Sequence, residues 1–458
     1  MVWLPARSHY LICIQNNSFE QSRSIISMTK LILVTGGTGY IASLLIPRLL
    51  DSGQRVRTMA RHPLRLKSRS WFRYVENIPA DVMVPSTLAP ALHGVDTAYY
   101  LIHSMASGRG YTERELAGAG AFATAAEVAG VKHIIYLGGL ADPEQYISLH
   151  MRSRIETGAA LRQGRVAVTE FRAGVIIGSG SISFEMIRFM TELFPIIPSP
   201  AWMNNNSQPI AAQNVVDYLM AALDNPNGHG QVFEIGGPEI APYKNLMMRY
   251  ARLRGLKRNM FIVPYIPLWF MSFGVGLMTP VPRPIAHALI GGLSHHSVVK
   301  YDDVLRVFPE VRLIGIDEAV QIALARLSPK HIERVWDDGQ HNVMSLKHEG
   351  CFILFREIKI IASMEKVFQA ISRFDNKPNW LVEVDEPNER IIIRVKKQPA
   401  GEKWIEWRIG QVGNLTNLTQ TAFFAPRGLP GFLYWYLLYP FHILVFRGLI
   451  RAITRENR

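Results

Sequence analysis

Residues 30–50, KLILVTGGTGYIASLLIPRLL, join an apolar run to a glycine-rich turn and an apolar helical period. The run at 31–34 predicts a buried strand, and the later period predicts a helix. Between them, the spacing Gly36-x-x-Gly39-x-x-Ala42 places small residues at three positions. Small residues there allow a tight turn, let the backbone approach a pyrophosphate, and let the helix pack closely on its strand. Phosphates held there would meet free N–H groups at the positive end of the helix dipole. The junction therefore predicts a nucleotide cofactor.

A regular alternation of strands and helices follows this turn. The pattern predicts strands at 55–60, within 75–82, at 97–102, 133–137 and 169–172, and helices at 111–130 and 153–163. Such spacing gives a parallel sheet with helices on both faces, a Rossmann-type doubly wound α/β architecture. Ligands of these sheets bind at the carboxyl ends of the strands. We therefore interpret the glycine turn as a cofactor site, with a purely structural strand–helix turn as the alternative.

The length of the chain, 458 residues, predicts two or three domains at an average of about 150 residues each. Residues 1–28 precede the fold pattern and have no signal-peptide character, so we expect a disordered extension. Residues 29–328 form the predicted cofactor domain, in which about 175–328 make a small substrate lobe with loops rich in Pro, Asn and Gly. Residues 347–458 form a separate predicted α+β domain.

Several elements of the later regions are also predicted. In the lobe, we expect a strand at 232–235 and a helix at 317–327 with Asp317 as its N-cap. A domain boundary follows at Ser328-Pro329. The last domain is predicted to contain strands at 352–361, 390–395 and 404–409 and a helix at 364–373.

Charge and composition restrict the partners of the chain. The formal net charge of +13 suits nucleic acid, an anionic membrane surface or phosphate-bearing ligands. Lys and Arg are spread along the chain without a nucleic-acid-binding motif, so nucleic acid is not predicted. Cys13 and Cys351 form neither a disulfide framework nor a metal site, and a reducing cytoplasm fits. His295-His296 lack a third ligand at metal spacing, so no metal site is predicted.

Two apolar stretches bear on membrane contact. Residues 260–282 are uncharged but interrupted by four prolines, and residues 431–446 are shorter than the ~20 residues of a spanning helix. We interpret each as buried core or as a surface-lying segment. Arg427, Arg447 and Arg451 flank the second stretch, so peripheral contact of 427–451 with the inner face of a membrane stays open.

The end of the second predicted strand bears on the choice of cofactor. Folds that select NAD carry an acidic residue there, which binds the ribose 2′-OH. This chain has Ala60-Arg61-His62 instead. Arg61 could hold a 2′-phosphate through charge-assisted hydrogen bonds. NADP is therefore favoured over NAD, an ordinary solvated arginine being the alternative.

Five motifs stand in order along the chain: TGGTGYIA, Asp81-Val82, YYLIHSM, IYLGGL and FRAGVIIGSGSISFEM. Together they resemble the atypical, nucleoside-diphosphate-sugar-epimerase-like branch of the short-chain dehydrogenase/reductase superfamily, over about residues 29–325. The resemblance implies NAD(P) binding. The cofactor residues that it implies at the phosphates, the adenosine ribose and the adenine are Thr35, Gly36, Thr38, Gly39, Tyr40, Ile41, Arg61, Asp81 and Val82.

The end of the chain carries a second resemblance. TAFFAPRGLPGFLYWYLLYPFHILVFRGLI is similar to the C-terminal domain of unknown function that often follows in this branch. That domain looks like a START-like, helix-grip module, a fold that elsewhere encloses hydrophobic ligands. Compared with the family, a strand-and-loop stretch is missing between Arg373 and Asn379, so we expect a smaller domain.

The catalytic motif of the superfamily is altered in this chain. Active members carry a Tyr-x-x-x-Lys pair and a serine at the end of the preceding strand. In HMRSRIE, His150 takes the place of the tyrosine and Arg154 that of the lysine, while the serine position falls at Gly138-Gly139. A histidine suits acid–base chemistry near neutral pH. The alternative is that His150 caps or precedes a helix whose first turn needs polar groups, and that Arg154 is a surface or phosphate contact.

These residues support three hypotheses. The first is an NADP(H)-dependent oxidoreductase for an apolar or lipid-like substrate, in which His150, Arg154, His103 and Ser104 have acid–base and substrate roles. His103 and Ser104 follow the fourth strand, where a polar strand end is the alternative. The second is a sensor or scaffold that binds NADP without turnover, favoured by loss of the Ser-Tyr-Lys set. The third, a sugar-nucleotide epimerase, rests on the family name alone. The sequence leaves the oligomeric state open.

Overall fold

The computed structural model divides into three regions, which follow one another along the chain. It describes residues 29–67, 69–103, 110–142, 144, 147–278, 283–293, 295–329, 351–374, 379–396 and 400–456. The predicted extension at 1–28 and the boundary segment after Pro329 lie outside the described residues.

The first region alternates strands and helices, as the sequence pattern predicts. Its elements are β1 (Leu31–Thr35), α1 (Tyr40–Asp51), β2 (Arg55–Ala60), β3 (Glu76–Pro79), α2 (Leu88–Leu92), β4 (Thr97–Tyr100), α3 (Tyr111–Val128), β5 (His133–Gly139), α4 (Leu149–Leu161) and β6 (Ala167–Ala173).

The second region is the lobe, built from helices and short strands. Its elements are β7 (Ile176–Ile177), α5 (Ile182–Leu193), β8 (Ile196–Pro200), β9 (Asn206–Ser207), β10 (Ile210–Ala211), α6 (Ala212–Ala221), β11 (Val232–Ile235), β12 (Ala241–Pro242), α7 (Tyr243–Arg254), β13 (Asn259–Val263), α8 (Leu268–Met278), α9 (Arg283–Leu293), α10 (Asp303–Val307) and α11 (Ile316–Ala325).

The third region is an antiparallel α+β domain. Its elements are β14 (Phe352–Ile360), α12 (Met364–Phe374), β15 (Trp380–Glu386), β16 (Arg390–Val395), β17 (Gly401–Val412), β18 (Leu415–Pro426), α13 (Gly428–Leu437) and α14 (Tyr439–Glu456).

The central sheet has the strand order of a doubly wound fold. Seven strands of the described chain pair in the order β11-β6-β5-β4-β1-β2-β3, and every pairing is parallel. Strand order reverses between β1 and β4, the switch point beside which ligands of such sheets bind. The predicted Rossmann-type architecture is confirmed.

Strand β1 shows why this sheet is covered on both faces. Ile32 and Val34 belong to the core packed under α1 and α6, whereas Leu31 and Leu33 belong to the core under α3 and α4. All four side chains are buried because successive residues of a strand point to opposite faces, each covered by helices. An uninterrupted apolar run is therefore what a central parallel strand requires.

Two predictions of local structure are wrong in detail. Helix α4 begins at Leu149, four residues before the predicted residue 153. The hydroxyl of Ser148 caps this helix, because it accepts a hydrogen bond from the amide of Met151 (3.3 Å).

The predicted N-cap of α11 is also wrong: Asp317 does not cap this helix, whose N-cap is Gly315. The Asp317 carboxylate instead forms ion pairs with Arg249 and Arg252, both at 2.5 Å, which join α11 to α7.

The C-terminal domain is a separate antiparallel sheet in the order β14-β18-β17-β16-β15. Helices α12 and α14 pack on one face of it through Val367, Ile371, Ile450 and Ile453. The architecture is α+β, as predicted. The likeness to a START-like module stays a prediction.

A buried carboxylate holds this domain against the lobe. Glu192, at the end of α5, is fully buried and accepts hydrogen bonds from the hydroxyl of Tyr250 (2.6 Å), Nε of Arg254 (3.1 Å) and the amide of Gly428 (2.6 Å). Gly428 begins α13, where the positive end of the helix dipole favours an anion. One turn earlier on α5, Phe189 packs against aromatic side chains of the C-terminal domain.

Candidate functional site

A cleft of about 600 Å³ lies at the carboxyl ends of β1, β2, β4, β5 and β6 and is closed on one side by the lobe. This volume is within the usual range for ligand sites. Most of the residues singled out from the sequence line it: Gly36, Thr38, Gly39, Tyr40, Ile41, Arg61, Asp81, Val82, His103, His150 and Arg154. The fold therefore brings distant parts of the chain together.

Two of the predicted residues are placed differently. Thr35 is fully buried behind the cleft lining, where its Oγ1 accepts a hydrogen bond from the amide of Leu101 (2.9 Å). This bond ties the end of β1 to the end of β4, so Thr35 positions the turn from behind. Ser104 lies outside the described residues.

The turn between β1 and α1 requires glycine for its backbone conformation and its packing. Gly36 has φ of 65°, and a Cβ there would lie 2.6 Å from the carbonyl oxygen of Leu101. Only glycine meets both conditions without strain. The amide of Gly39 donates to the carbonyl of Gly36 (2.7 Å), and Gly39 brings no side chain to cap α1. The first-turn amides of α1, which have no intrahelical partner, are thus placed at the cleft to meet an anion.

The ends of β2 and β3 form the end of the cleft at which the family resemblance predicts that adenosine binds. Arg61 follows β2 and is exposed in the cleft. The loop after β3 is fixed because Oγ1 of Thr87 accepts from the amide of Asp81 (3.0 Å), while Oδ1 of Asp81 accepts from the amide of Met83 (3.0 Å). These two hydrogen bonds hold the backbone of the loop in a position where it could line one side of a bound planar ring such as an adenine.

Positive charge dominates this cleft. Among the described lining residues, one is a carboxylate, Asp81, and four are arginines, Arg61, Arg65, Arg114 and Arg154. Low-dielectric walls strengthen the field of such charges. The lining fits a polyanion such as a dinucleotide phosphate.

Arg154 lies at the other end, where β5 meets α4, and is 2% exposed. Its Nη2 donates to the carbonyl of Leu137, and its guanidinium lies 4.9 Å from the centre of the Tyr136 ring. The Tyr136 hydroxyl donates to the backbone carbonyl of Arg154 (2.9 Å). Within the described residues, Nη1 has no hydrogen-bond partner. A buried donor left unpaired is costly, so this atom suits an acceptor on a bound molecule.

His150 occupies the first turn of α4, one turn before Arg154, and is 7% exposed. Burial, and then the charge of Arg154, lower the pKa of His150 to about 4. Its Nδ1 has no hydrogen-bond partner in the described part of the chain. The ring is therefore neutral at pH 7, with one nitrogen available to a ligand.

His103 follows β4 and lines the same end of the cleft. Desolvation by the surrounding protein, followed by electrostatic interaction with Arg154 and His150, holds the pKa of His103 well below its usual range. Two neutral imidazoles and one fixed cation therefore converge where β4, β5 and α4 meet. That combination can orient a polar group and stabilise developing negative charge.

Sequence reasoning missed two residues of this end, Tyr243 and Ser297, which the lobe brings into the cleft. Their side chains are hydrogen-bonded to each other, and burial raises the pKa of Tyr243 to about 12. The Ser297 hydroxyl donates to the carbonyl of Leu140 (3.3 Å). No sequence signal marks them, since they lie far from the glycine turn and are brought in by the folding of the lobe.

The wall contributed by the lobe is apolar. Leu289 and Leu293 of α9 and Ile182 of α5 line the cleft beside Met151. Helix α8 packs beside α9 and leaves Trp269 and Phe270 exposed. The cleft therefore combines positively charged side chains with an apolar surface contributed by Ile182, Leu289 and Leu293.

No group of three or more metal-ligating side chains is found in the described residues. The Nδ1 atom of His296 accepts a hydrogen bond from the amide of Asn206 (3.0 Å). That contact gives His296 a structural role beside β9.

Comparisons with known proteins agree with this geometry. Residues 36–164 match the family model described as NAD(P)H-binding, and residues 375–449 match a protein family of unknown function, DUF2867. A (4-alkanoyl-5-oxo-2,5-dihydrofuran-3-yl)methyl phosphate reductase of Streptomyces griseus is 28% identical over 274 residues, which are 57% of this chain and 85% of that protein.

Two solved structures share the fold of the first two regions. A triphenylmethane reductase of Citrobacter, complexed with NADP(H), superposes with a TM-score of 0.52 at 19% identity, covering 64% of this chain and 99% of that one. A nucleoside-diphosphate-sugar epimerase of Staphylococcus aureus gives a TM-score of 0.52 at 15% identity, covering 63% and 99%. The first two regions therefore have a Rossmann-type fold that they share with a reductase and a nucleoside-diphosphate-sugar epimerase; residues 36–164 match an NAD(P)H-binding family, and residues 375–449 match DUF2867.

Proposed function

We propose that this protein is an NADP(H)-dependent reductase of an apolar, lipid-like carbonyl or quinone compound. The observation that carries the proposal is the pair of buried atoms without hydrogen-bond partners in the described chain, Nη1 of Arg154 and Nδ1 of His150, at the inner end of an arginine-lined cleft. Other buried polar atoms of the described residues, such as Nδ1 of His133, also have no hydrogen-bond partner, but His133 does not line the cleft, whereas Arg154 and His150 do. A bound nicotinamide ribose or substrate oxygen would pair them.

The choice of NADP is supported by Arg61 at the end of β2. It lines the cleft next to Arg65, where two cations suit a 2′-phosphate better than a ribose hydroxyl. The Citrobacter reductase that shares this fold was solved with NADP(H). The apolar substrate is supported by Leu289, Leu293 and Ile182, which face the same end as His150.

Reduction of a carbonyl adds one hydride to carbon and one proton to oxygen. When bound, NADPH supplies the hydride. Arg154 would orient the oxygen that gains negative charge, with neutral His150 as a second hydrogen-bonding group. The Tyr243 phenol keeps its proton at neutral pH, because its pKa is raised to about 12, and an alkoxide is basic enough to take that proton. Solvent would then reprotonate Tyr243.

The test is NADPH oxidation in the presence of quinones, enones and ketones. We expect turnover that falls by about 10²- to 10³-fold in His150→Ala, the usual effect of removing one preorganised hydrogen-bonding group from a developing oxyanion. His93→Ala, an exposed histidine outside the cleft lining, is the matched control and should keep full activity. Equal rates in both variants would contradict a role for His150.

One observation favours a second function, a sensor or scaffold that binds NADP without turnover. The place of the strand-end serine is taken by Gly138 and Gly139, and a Cβ at Gly139 would lie 2.7 Å from Cε of Met151. That position has no room for a serine unless Met151 moves. NADPH binding without oxidation by any of the acceptors would favour this function. UDP-sugar turnover would instead support the weaker epimerase alternative.

A further inference from the structure

The bend between α13 and α14 carries a solvent-facing apolar surface. It is formed by seven side chains that are exposed: Leu433, Tyr436, Leu437, Leu438, Phe441, Leu444 and Val445. Four of them exceed 60% exposure, namely Leu437 (72%), Phe441 (63%), Leu444 (62%) and Val445 (61%). We call this set the apolar elbow. A cluster of this kind on a soluble surface marks an interaction site.

The apolar elbow is distinct from the core of its domain. On α14, the face that packs inward is formed by Phe446, Ile450 and Ile453, which are buried. Phe441, Leu444 and Val445 follow the spacing i, i+3, i+4 and lie on a different face of the same helix. Folding therefore uses one apolar stripe of α14 and leaves a second one facing solvent.

A band of arginines borders the apolar elbow. Arg447, Arg451 and Arg455 are exposed on α14 and stand about 4.5, 10 and 16 Å beyond Leu444 along the helix axis, at 1.5 Å per residue. The sequence has no Asp or Glu between Glu406 and Glu456. Cationic charge and apolar surface thus follow each other along one helix.

Arg356 on β14 adds a third charge to Arg447 and Arg451. Burial, and then the positive charges of Arg447 and Arg451, lower the pKa of Arg356. Among the described residues, the ion pairs of this domain involve other side chains. A cluster of like charges without a carboxylate is stabilised by an external anion such as a phosphate.

We propose that the apolar elbow and its arginine band dock the protein on the surface of an anionic phospholipid bilayer. In an interfacial helix the apolar side chains enter the bilayer by about 5–10 Å, and basic side chains on the same helix remain at the level of the lipid headgroups. The arginines of α14 are therefore placed to meet lipid phosphates beside the apolar elbow. Tyr436 and Phe441 add the aromatic side chains that membrane interfaces favour.

A second copy of the chain fits this surface less well. In a symmetric dimer the same patch faces itself, so the arginine bands of both copies would come together with no acidic residue between them. Among the described helices, none alone is long and apolar enough to cross a bilayer. Helices α13 and α14 reach the necessary length and apolar composition only when taken together, and they are bent by 65° relative to each other. Attachment to one surface of the bilayer is therefore the proposed mode.

The experiment is vesicle flotation of the full-length protein. We expect binding to phosphatidylcholine vesicles containing ~30% phosphatidylglycerol, weak binding to phosphatidylcholine alone, and weaker binding in ~1 M than in ~0.1 M salt, where the screening length falls from about 10 to about 3 Å. Arg447→Gln with Arg451→Gln should weaken binding roughly 30-fold, at about fivefold per arginine. Leu444→Glu with Val445→Glu should weaken it on the order of 100-fold.

Matched controls use exposed residues elsewhere in the fold. Arg165→Gln with Arg326→Gln removes the same charge, and Val128→Glu with Val412→Glu introduces the same carboxylates at exposed sites. Both double variants should bind as the wild type does. Wild-type protein that stays unbound, equal losses in test and control variants, or a solution dimer that Leu444→Glu with Val445→Glu dissociates would each overturn the proposal.

Discussion

The two ends of the cleft are built on different principles. The phosphate and adenosine end consists mainly of backbone, with the Gly36 turn, the amides at the start of α1 and the loop fixed by Asp81. The inner end consists of side chains, with Arg154, His150 and Tyr243 buried where three chain segments meet. A backbone site follows from a local motif, whereas a side-chain site depends on the whole fold.

This difference predicts that cofactor binding and chemistry are separable in this protein. The Gly36 turn requires φ of 65° and a residue without Cβ beside the Leu101 carbonyl, so we expect binding to be independent of changes in the catalytic set. The inner end has a histidine, an arginine and a glycine pair where the family motif has tyrosine, lysine and serine. Each end can therefore be tested by variants that leave the other intact.

The largest effect is expected at the backbone end, in Gly36→Ala. A Cβ there meets the Leu101 carbonyl at 2.6 Å, and positive φ adds strain, so NADPH affinity should fall on the order of 100-fold. Isothermal titration measures this loss. Gly53→Ala is the control, because Gly53 has φ of 79° but open space around its Cβ position. It should cost about 1 kcal/mol of stability and leave NADPH affinity unchanged. If both variants bind normally, the turn does not hold the phosphates.

The side-chain end is tested by Tyr243→Phe. Loss of the proposed proton donor should lower kcat by about 100-fold while NADPH affinity stays within about twofold. Steady-state kinetics and cofactor titration separate the two quantities. Tyr301→Phe, on an exposed tyrosine outside the cleft lining, should behave as wild type. A Tyr243→Phe enzyme with normal kcat would assign the proton transfer to another group.

Arg61→Ala tests the side chain at the end of β2 that supports the choice of NADP. Hydrogen bonds to a charged group are worth about 1.5–3 kcal/mol, so NADPH affinity should fall by about 10- to 100-fold. NADH affinity should hardly change, because NADH has no 2′-phosphate. Fluorescence titration of both cofactors with both proteins measures the selectivity. Equal affinities for NADPH and NADH in wild type and variant would refute the preference for NADP.

The smallest effect concerns pH and the buried His150. Its pKa is about 4 in the folded chain and near 6.5 when unfolded, so the unfolded state binds more protons between these values. The stabilisation is present above pH 6.5 and is lost as pH falls towards 4, by on the order of 3 kcal/mol. His150→Gln should flatten this dependence in denaturant melts at each pH. An unchanged profile would show that His150 is not buried as described.

Patterns within single elements were predictable from the sequence. The bounds of β2, β11 and β16 agree with prediction because each strand alternates or is uniformly apolar between clear turns. Strands β15 and β18 were missed. β15 is an edge strand with several exposed positions, and β18 is buried along most of its length, so neither shows a clean alternation.

Patterns between elements were not predictable. Asp317 has the sequence context of a helix cap, yet it pairs with Arg249 and Arg252 because α7 lies beside α11. Tyr243 and Ser297 enter the cleft through the folding of the lobe, which no local motif records. His150 and Arg154 were found only because a family motif marks their positions. Assignments at the inner end therefore needed the structure.

The buried carboxylate of Glu192 has a consequence for how this chain can be divided. The two matching family models leave residues 165–374 between them, and a natural place to cut is the segment after Pro329. Such a cut removes the Gly428 amide from Glu192 and uncovers Phe189. The shortened protein would keep the contacts of Glu192 with Arg254 and Tyr250 but would expose Phe189 and Leu193, so we expect it to aggregate. A boundary drawn from sequence similarity alone therefore cuts through a packed contact in this protein.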